Sequence, residues 1–332
     1  MSVKKNHRLL VGDIGGTNCR IAGCDPETGH ISHIQIYSVE RTQSLEHALR
    51  RYTQEHPAFR YCRAAISIAN PIVGDRVMMT NAHWDFSIEQ TRLGCQFEDL
   101  FMLNDWESVA LALPFLTDRD LTQINDCPST KSGNRALCGV GTGLGAAGLA
   151  EGKDQQWIPI AGEGGHVSFS PMDQDEIRIL EAMVDEHQHV SFERILSGAG
   201  MVSLYRAIAK INGDPIEAAT PKQIVSGAVS QTRSTYGRTI QTFCGILGNF
   251  AGNLCLTLGA TGGIYVGGGV IQKIDDAGLF DKKAFLERVT SKGRLSGWLN
   301  DVPAYLIQTP YAGLVGAAAA LSVEHASVSG RS

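Results

Sequence analysis

A chain of 332 residues, 43% hydrophobic, with a net charge of −5 and no basic block, is long enough for two packed cores and poorly suited to nucleic acid. Its eight cysteines form no C-x-x-C pair and lack zinc-site or disulfide-framework spacing, which predicts reduced thiols in a cytoplasmic protein. No signal-length apolar run follows the basic N-terminal residues, and the longest helical stretch, 236–258, is interrupted by Arg238, Gln241 and Asn249. A buried helix is expected there, not a membrane span.

In chain order, the apolar run Leu9, Leu10, Val11, Ile14 is broken by Gly15-Gly16 and resumes at Cys19, Ile21 and Ala22, the pattern of a β-hairpin. Asp13 ends its first strand, and Thr17 and Asn18 follow the glycines. Glycine lets backbone N–H groups crowd an anion, and an aspartate beside them can hold hydrated Mg²⁺ near nucleotide phosphates. A plain hairpin with a solvated aspartate is the competing reading. A strand is expected at 31–38, a helix at 44–55 from the spacing of Leu45, Ala48, Leu49 and Tyr52, and a buried strand at 64–69 ended by Asn70-Pro71. A short extended piece at 77–80 and a strand at 99–103 follow. The latter runs into Asn104-Asp105 and a helix, 106–113, stopped by Pro114. Three strands in a meander, then helix, strand, helix, strand, helix: the order resembles a ribonuclease-H-like α/β domain.

The second half repeats the theme. Strands are expected at 135–140, 146–150 and 155–160, with the turn Gly141-Thr142-Gly143-Leu144-Gly145 between the first two. Identity between the halves is too low to establish a duplication. Helices are predicted at 176–187, 200–211, 222–229 and 234–258, then a strand at 263–266 ended by Gly267-Gly268-Gly269. A late strand at 303–307, an alanine-rich helix at 313–324 and a frayed tail at 327–332 complete the chain.

Several stretches bear on chemistry. Gly143 to Gly148 satisfies G-x-G-x-x-G, but the residues after it read as a hairpin. A dinucleotide fingerprint must open a helix, so an NAD-binding unit is disfavoured. No G-x-x-x-x-G-K-[ST] loop occurs. Three glycine-rich turns at strand ends, two of them carrying a threonine, suit a nucleotide held by two domains. Asn104 or Asp105 could simply cap the following helix, with Glu107 completing a capping box. The pair also stands directly after a strand, where α/β sheets place their chemistry. Glu163-Gly164-Gly165-His166 can aim a carboxylate and an imidazole at hydroxyl groups. Glu193 is a further acceptor or, alternatively, a surface helix carboxylate paired with Arg194 or a nearby base. His187 and His189 have no third partner at metal-site spacing and read as a solvated helix end.

The ordered set Leu10-Val11-Gly12-Asp13-Ile14-Gly15-Gly16-Thr17-Asn18-Cys19-Arg20, Asn70-Pro71-Ile72-Val73-Gly74-Asp75, Met79-Thr80-Asn81, Leu103-Asn104-Asp105, Gly141-Thr142-Gly143-Leu144-Gly145, Gly162-Glu163-Gly164-Gly165-His166 and Leu196-Ser197-Gly198 closely resembles bacterial ATP-dependent glucokinases of the hexokinase/actin-like superfamily. The resemblance implies two ribonuclease-H-like (actin/hexokinase-type) α/β domains with an active cleft between them: a small one, 1–114 plus 308–332, and a large one, 115–307. It implies that Gly12, Asp13, Ile14, Gly15, Gly16, Thr17, Gly141, Thr142 and Gly143 serve ATP and its phosphates, that Gly267 and Gly268 lie by the nucleoside, and that Asp13 acts with Mg²⁺. Asn104, Asp105, Glu163, His166 and Glu193 match the family's glucose ligands, with Asp105 as the catalytic base. A cytoplasmic homodimer is implied, with glucose and ATP as substrates and no nucleic acid or membrane partner. The zinc-binding cysteine cluster of the related ROK kinases and repressors is missing from the sequence. A kinase for another hexose and a catalytically silent sugar sensor on the same fold are the alternatives.

Overall fold

The computed structural model describes residues 6–79, 82–129, 132–153 and 156–329. The chain forms two compact units. One takes the chain up to Thr117, Gly152–Pro159 and the residues from Thr309 on; the other takes Asp118–Glu151 and Ile160–Gln308.

In the first unit, β1 (Asn6–Ile14), β2 (Asn18–Cys24), β3 (Ile31–Ser38), β4 (Phe59–Ile68), the small hairpin β5 (Arg76–Met78) and β6 (Asp85–Ser87), and β7 (Asp99–Asn104) supply the strands. The main sheet has the order β3-β2-β1-β4-β7, with β1 antiparallel to β2 and parallel to β4. The apolar run that predicted β1 is its reason for being central: Leu10, Val11 and Ile14 are wholly buried. The helix Leu45–Glu55 is capped by Ser44, whose hydroxyl accepts from His47 N, and it buries the four residues whose spacing predicted it. A helix Ile88–Gly94, capped by Ser87, occupies the place the element order requires before β7. β5 ends at Met78, one residue before the described Met79; Thr80, the end of the expected extended piece, and Asn81 lie outside the described residues.

Helix Asp105–Ala112 follows β7 directly and tightens into a 3₁₀ turn, Leu113–Phe115, at Pro114. Against it packs the C-terminal helix, Ala312–Ser329. The two backbones approach closely: Ser108 Oγ donates to Gly313 O at 2.8 Å, and any Cβ at Gly316 would overlap Ser108 O. The expected fraying from 327 gives way to helix as far as Ser329, since no glycine or proline intervenes before Gly330. Residues 330–332 lie outside the described residues.

The second main sheet has the strands β8 (Leu121–Gln123), β9 (Arg135–Val140), β10 (Leu144–Glu151), β11 (Trp157–Gly162), β12 (Ile264–Gly267) and β13 (Ala304–Ile307), all in the second unit except residues 157–159 of β11, which belong to the first. Their order is β11-β10-β9-β12-β13-β8. Apart from the added β8, this repeats the first sheet strand for strand: an antiparallel hairpin, its third strand outside, then two parallel partners. Gln155, at the predicted start of the third strand, is outside the described residues.

Helices Gln174–Val184, Gly198–Asn212, Pro221–Ser230 and Thr235–Leu258 match the four predicted, with starts set by the caps Asp173, Ser197, Thr220 and Ser234. Helices Gly269–Asp276, Lys282–Thr290 and Ser296–Asn300 were not predicted. The second of these explains two glycines of the long helix. A Cβ at Gly248 or Gly252 would overlap Phe285 O or Val289 O, so the two helices pack backbone to backbone. Among the described residues no helix is long and apolar enough to cross a membrane.

Candidate active site

In the first unit, Asp13 stands at the end of β1 opposite Arg20 of β2, with Arg20 Nη1 at 3.2 Å from Asp13 Oδ2. Burial pushes the Asp13 carboxyl above the ordinary carboxylate range, and the Arg20 guanidinium offsets this in part. The start of the C-terminal helix closes over it: a Cβ at Gly313 would lie 2.7 Å from Asp13 Oδ1. Across the ladder from Asp13 lies the buried Ser67. The turn itself is closed by Gly15 N donating to Asn18 O at 2.9 Å, leaving Gly16 and Thr17 exposed. Gly12 and Ile14 belong to β1 itself. Ile14 is wholly buried in the core, and a Cβ at Gly12 would lie 2.7 Å from Ile66 Cδ1.

Among the described residues no three or more His, Cys, Asp or Glu side chains gather to hold a metal by themselves. A single half-buried carboxylate beside an open glycine turn fits the other mode of Mg²⁺ binding, in which phosphates and water supply most of the ligands.

At the end of β7 the two capping possibilities separate. Asn104 is the cap: its Oδ1 accepts from Trp106 N at 2.9 Å and Glu107 N at 3.4 Å, and Glu107 Oε2 accepts from Asn104 N at 3.4 Å. Asn104 Nδ2 also reaches Asn70 O at 3.5 Å, tying the cap to the Asn70-Pro71 bend after β4. Asp105 is the first helical residue, half-buried, its Oδ1 accepting from Trp106 N at 3.0 Å. The helix start is therefore held by Asn104, and the capping explanation of Asp105 loses its main motive.

In the second unit, three stretches far apart in sequence, Gly164–His166, 193–198 and 267–269, converge on the turn between β9 and β10. Gly141 N donates to Gly143 O at 2.9 Å, and Gly198 N, at the start of helix Gly198–Asn212, donates to Gly141 O at 3.0 Å. Gly268, with φ at +98°, packs where any Cβ would overlap Val140 O, which sets the third glycine turn against the strand leading into the second. That third turn is the opening of helix Gly269–Asp276, not a plain loop. At Gly141 and Gly269 a Cβ would meet nothing within 4 Å. Neither conformation nor packing demands glycine at Gly141, so its missing side chain leaves open space at the turn.

Glu163 precedes a single 3₁₀ turn, Gly164–His166, a local structure the sequence pattern did not signal. A Cβ at Gly165 would overlap Leu144 O, so the glycines lay this loop directly on the start of β10. His166 Nε2 stands 4.0 Å from Glu163 Oε2 and 3.9 Å from Glu193 Oε1. Glu193 N donates to Gly165 O at 2.9 Å, and Glu193 Oε2 accepts from Leu144 N at 2.8 Å. The reading of Glu193 as a surface helix carboxylate paired with Arg194 is overturned: it lies outside the helices and is turned inward onto backbone. Sequence reasoning missed the Leu144 N–H and the Gly198 N–H, since backbone groups carry no signal of their own in a sequence. After Gly143 the G-x-G-x-x-G stretch runs along β10, which excludes the helix a dinucleotide fingerprint needs.

The paired sheets and glycine hairpins define the class. The chain superposes with a TM-score of 0.87 on the crystal structure of a glucokinase from an Antarctic psychrotroph, at 32% identity over 95% of this chain and 98% of that one. The family comparison is as specific. The glucokinase family profile matches residues 10–324. The glucokinase of Chromobacterium violaceum is 42% identical over 94% of this chain and 89% of its own length. The bifunctional protein glk of Burkholderia thailandensis is 41% identical over 94% of this chain, which spans only 48% of that longer protein. The chain belongs to the glucokinase family, and its class is that of an ATP-dependent hexose kinase.

Proposed function

We propose that this chain transfers the γ-phosphoryl group of ATP to the 6-hydroxyl of D-glucose, giving glucose 6-phosphate and ADP at the entry to glycolysis, with Asp105 as the general base. The observation that carries the base assignment is the division of labour after β7. Asn104 and Glu107 form the complete capping box, and the Asp105 carboxylate follows at the first helical position. In the reaction Asp105 takes the proton of the 6-hydroxyl as that oxygen attacks the γ-phosphorus and ADP leaves. Phosphoryl transfer asks the protein chiefly for positioning and charge neutralisation.

Asn104, Glu163, His166 and Glu193 hold the sugar hydroxyls in this reading. Gly12, Asp13, Ile14, Gly15, Gly16, Thr17, Gly141, Thr142 and Gly143 serve the phosphates, with Gly12 and Ile14 acting through backbone alone, and Gly267 and Gly268 lie by the nucleoside. The open space at Gly141 supports the phosphate role. Asp13 is the residue that would hold Mg²⁺ through water, and the cation would supply neutralisation of phosphate charge. The same reading takes 1–114 with 308–332 as the small domain and 115–307 as the large one, and the protein as a cytoplasmic homodimer.

The test is Asp105→Asn, with turnover, glucose binding by calorimetry and thermal midpoint measured on one preparation. Turnover should fall by about 10²–10⁴, the usual cost of losing a general base, while glucose binding and the midpoint stay near wild type. Retained turnover would overturn the assignment. Wild-type protein that binds glucose and releases no ADP would favour the silent sensor, and a panel of hexoses would expose a different preferred sugar.

A further inference from the structure

The Glu193 carboxylate has two ends with different surroundings. Oε1 faces His166 Nε2 at 3.9 Å, on the side of the candidate sugar ligands. Oε2 accepts the Leu144 N–H at 2.8 Å, and Leu144 is the residue that follows the Gly141-Thr142-Gly143 turn. The fit around this bond is close. A Cβ at Gly143 would overlap Glu193 Oε2, so glycine at that position is what admits the carboxylate. The backbone of Glu193 is fixed as well, its N–H donating to Gly165 O at 2.9 Å. Gly165 in turn packs where any Cβ would overlap Leu144 O. On either side of Glu193, Phe192 and Ile195 are buried in the core of the unit, which holds the segment in place.

We infer that Glu193 is a positioning residue for the nucleotide as well as a sugar ligand: one carboxylate oxygen braces the phosphate turn through Leu144 N–H while the other addresses the sugar through the His166 side. The inference rests on the reading of Gly141 to Gly143 as a phosphate turn. A turn held from behind keeps its N–H groups in place before ATP arrives, so the ordering need not be paid out of binding. A sugar hydroxyl bonded to Oε1 steadies the carboxylate on its other oxygen, so each substrate favours the turn geometry that the other uses. Coupling of this kind is reciprocal between the two binding affinities.

Two substitutions separate the two ends. Gln at 193 keeps an oxygen that accepts from Leu144 N–H and removes the charge presented toward the sugar; Ala removes both. ATP binding is measured by calorimetry, with and without glucose, on wild type, Glu193→Gln, Glu193→Ala and Gly143→Ala. Hydrogen exchange of the Leu144 amide is followed in the same proteins. In the absence of glucose, Glu193→Ala should weaken ATP by about tenfold or more, the worth of a hydrogen bond to a charged group. Its Leu144 amide should exchange faster than in wild type. Glu193→Gln should restore ATP affinity to within about threefold while still binding glucose poorly. Gly143→Ala, which displaces the carboxylate from the turn, should resemble Glu193→Ala toward ATP. Abolished enhancement of ATP binding by glucose in Glu193→Ala would complete the case. If Glu193→Ala binds ATP as wild type does, or if Gln and Ala are equivalent toward ATP, the brace is wrong and Glu193 serves the sugar alone. If wild type itself binds no ATP, the phosphate-turn reading fails first, and the two failures are told apart.

Discussion

The two glycine hairpins are the same device built twice with different chemistry behind it. Each joins the first two strands of a sheet, and each sheet continues with a third strand outside and two parallel strands on the other flank. In the first hairpin the carboxylate is part of the strand: Asp13 is in β1, half-buried, opposed by Arg20 and covered by Gly313. In the second, β9 contributes only apolar residues and glycine after Arg135, and the carboxylate comes from Glu193, 49 residues after Leu144, to accept a backbone N–H. The first arrangement places an ion where desolvation disfavours it and a guanidinium offsets that cost only in part. The second places an ion where a donor satisfies it, which suits a brace. One topology thus carries two electrostatic designs, and the difference lies in where the acid is attached to the chain.

The largest effect that would break this contrast is at Asp13. Asp13→Asn removes the charge that the proposed function sets beside the phosphates and should cost about 10²-fold or more in kcat, the scale of losing one preorganised electrostatic contact. The sign of its stability effect is opposite. A carboxyl whose native pKa is raised costs stability while ionised, and that cost disappears as pH falls and the native protein takes up the proton. Asp13→Asn should therefore raise the thermal midpoint at neutral pH, and its advantage over wild type should shrink as pH falls toward 3.8, the ordinary value for an aspartate. A lower midpoint at neutral pH would show that the Arg20 pair outweighs the burial.

A smaller effect sharpens the comparison of packing. Gly316→Ala in the first unit and Gly165→Ala in the second each force a Cβ onto a backbone oxygen, of Ser108 and Leu144 respectively. Each should destabilise its unit by about 1–3 kcal/mol, as overpacking does, read by denaturant unfolding. A stabilised Gly316→Ala would mean that helix propensity outweighs the contact. Smallest is Gly141→Val, whose side chain enters open space. It should leave the thermal midpoint unchanged yet raise the KM for ATP about tenfold, roughly 1.4 kcal/mol of binding. An unchanged KM would remove this turn from the phosphate site and leave the first hairpin alone in that role.

Much of the fold was legible because its signals are local. The apolar run through Leu10 and Val11, the spacing of Leu45, Ala48, Leu49 and Tyr52, and the order of strands and helices each extend over a few residues or a simple alternation. Asn104-x-x-Glu107 announced a capping box that the structure contains. The helices Gly269–Asp276 and Lys282–Thr290 escaped notice. The first opens on glycines that resemble a loop, and the partner that gives the second its place is the long helix, through Gly248 and Gly252.

The candidate site divides along the same line. Residue types and their order along the chain determined the family resemblance, the glycine turns and the acids beside them, because chemistry of that kind is written in side-chain identity. Tertiary structure alone decided what surrounds each acid. How far Asp13 is buried, whether Asn104 or Asp105 holds the helix, and whether Glu193 faces solvent or a backbone N–H depend on groups brought together from distant parts of the chain. Desolvation and hydrogen bonding act through space over a few ångströms, and sequence separation carries no record of that distance.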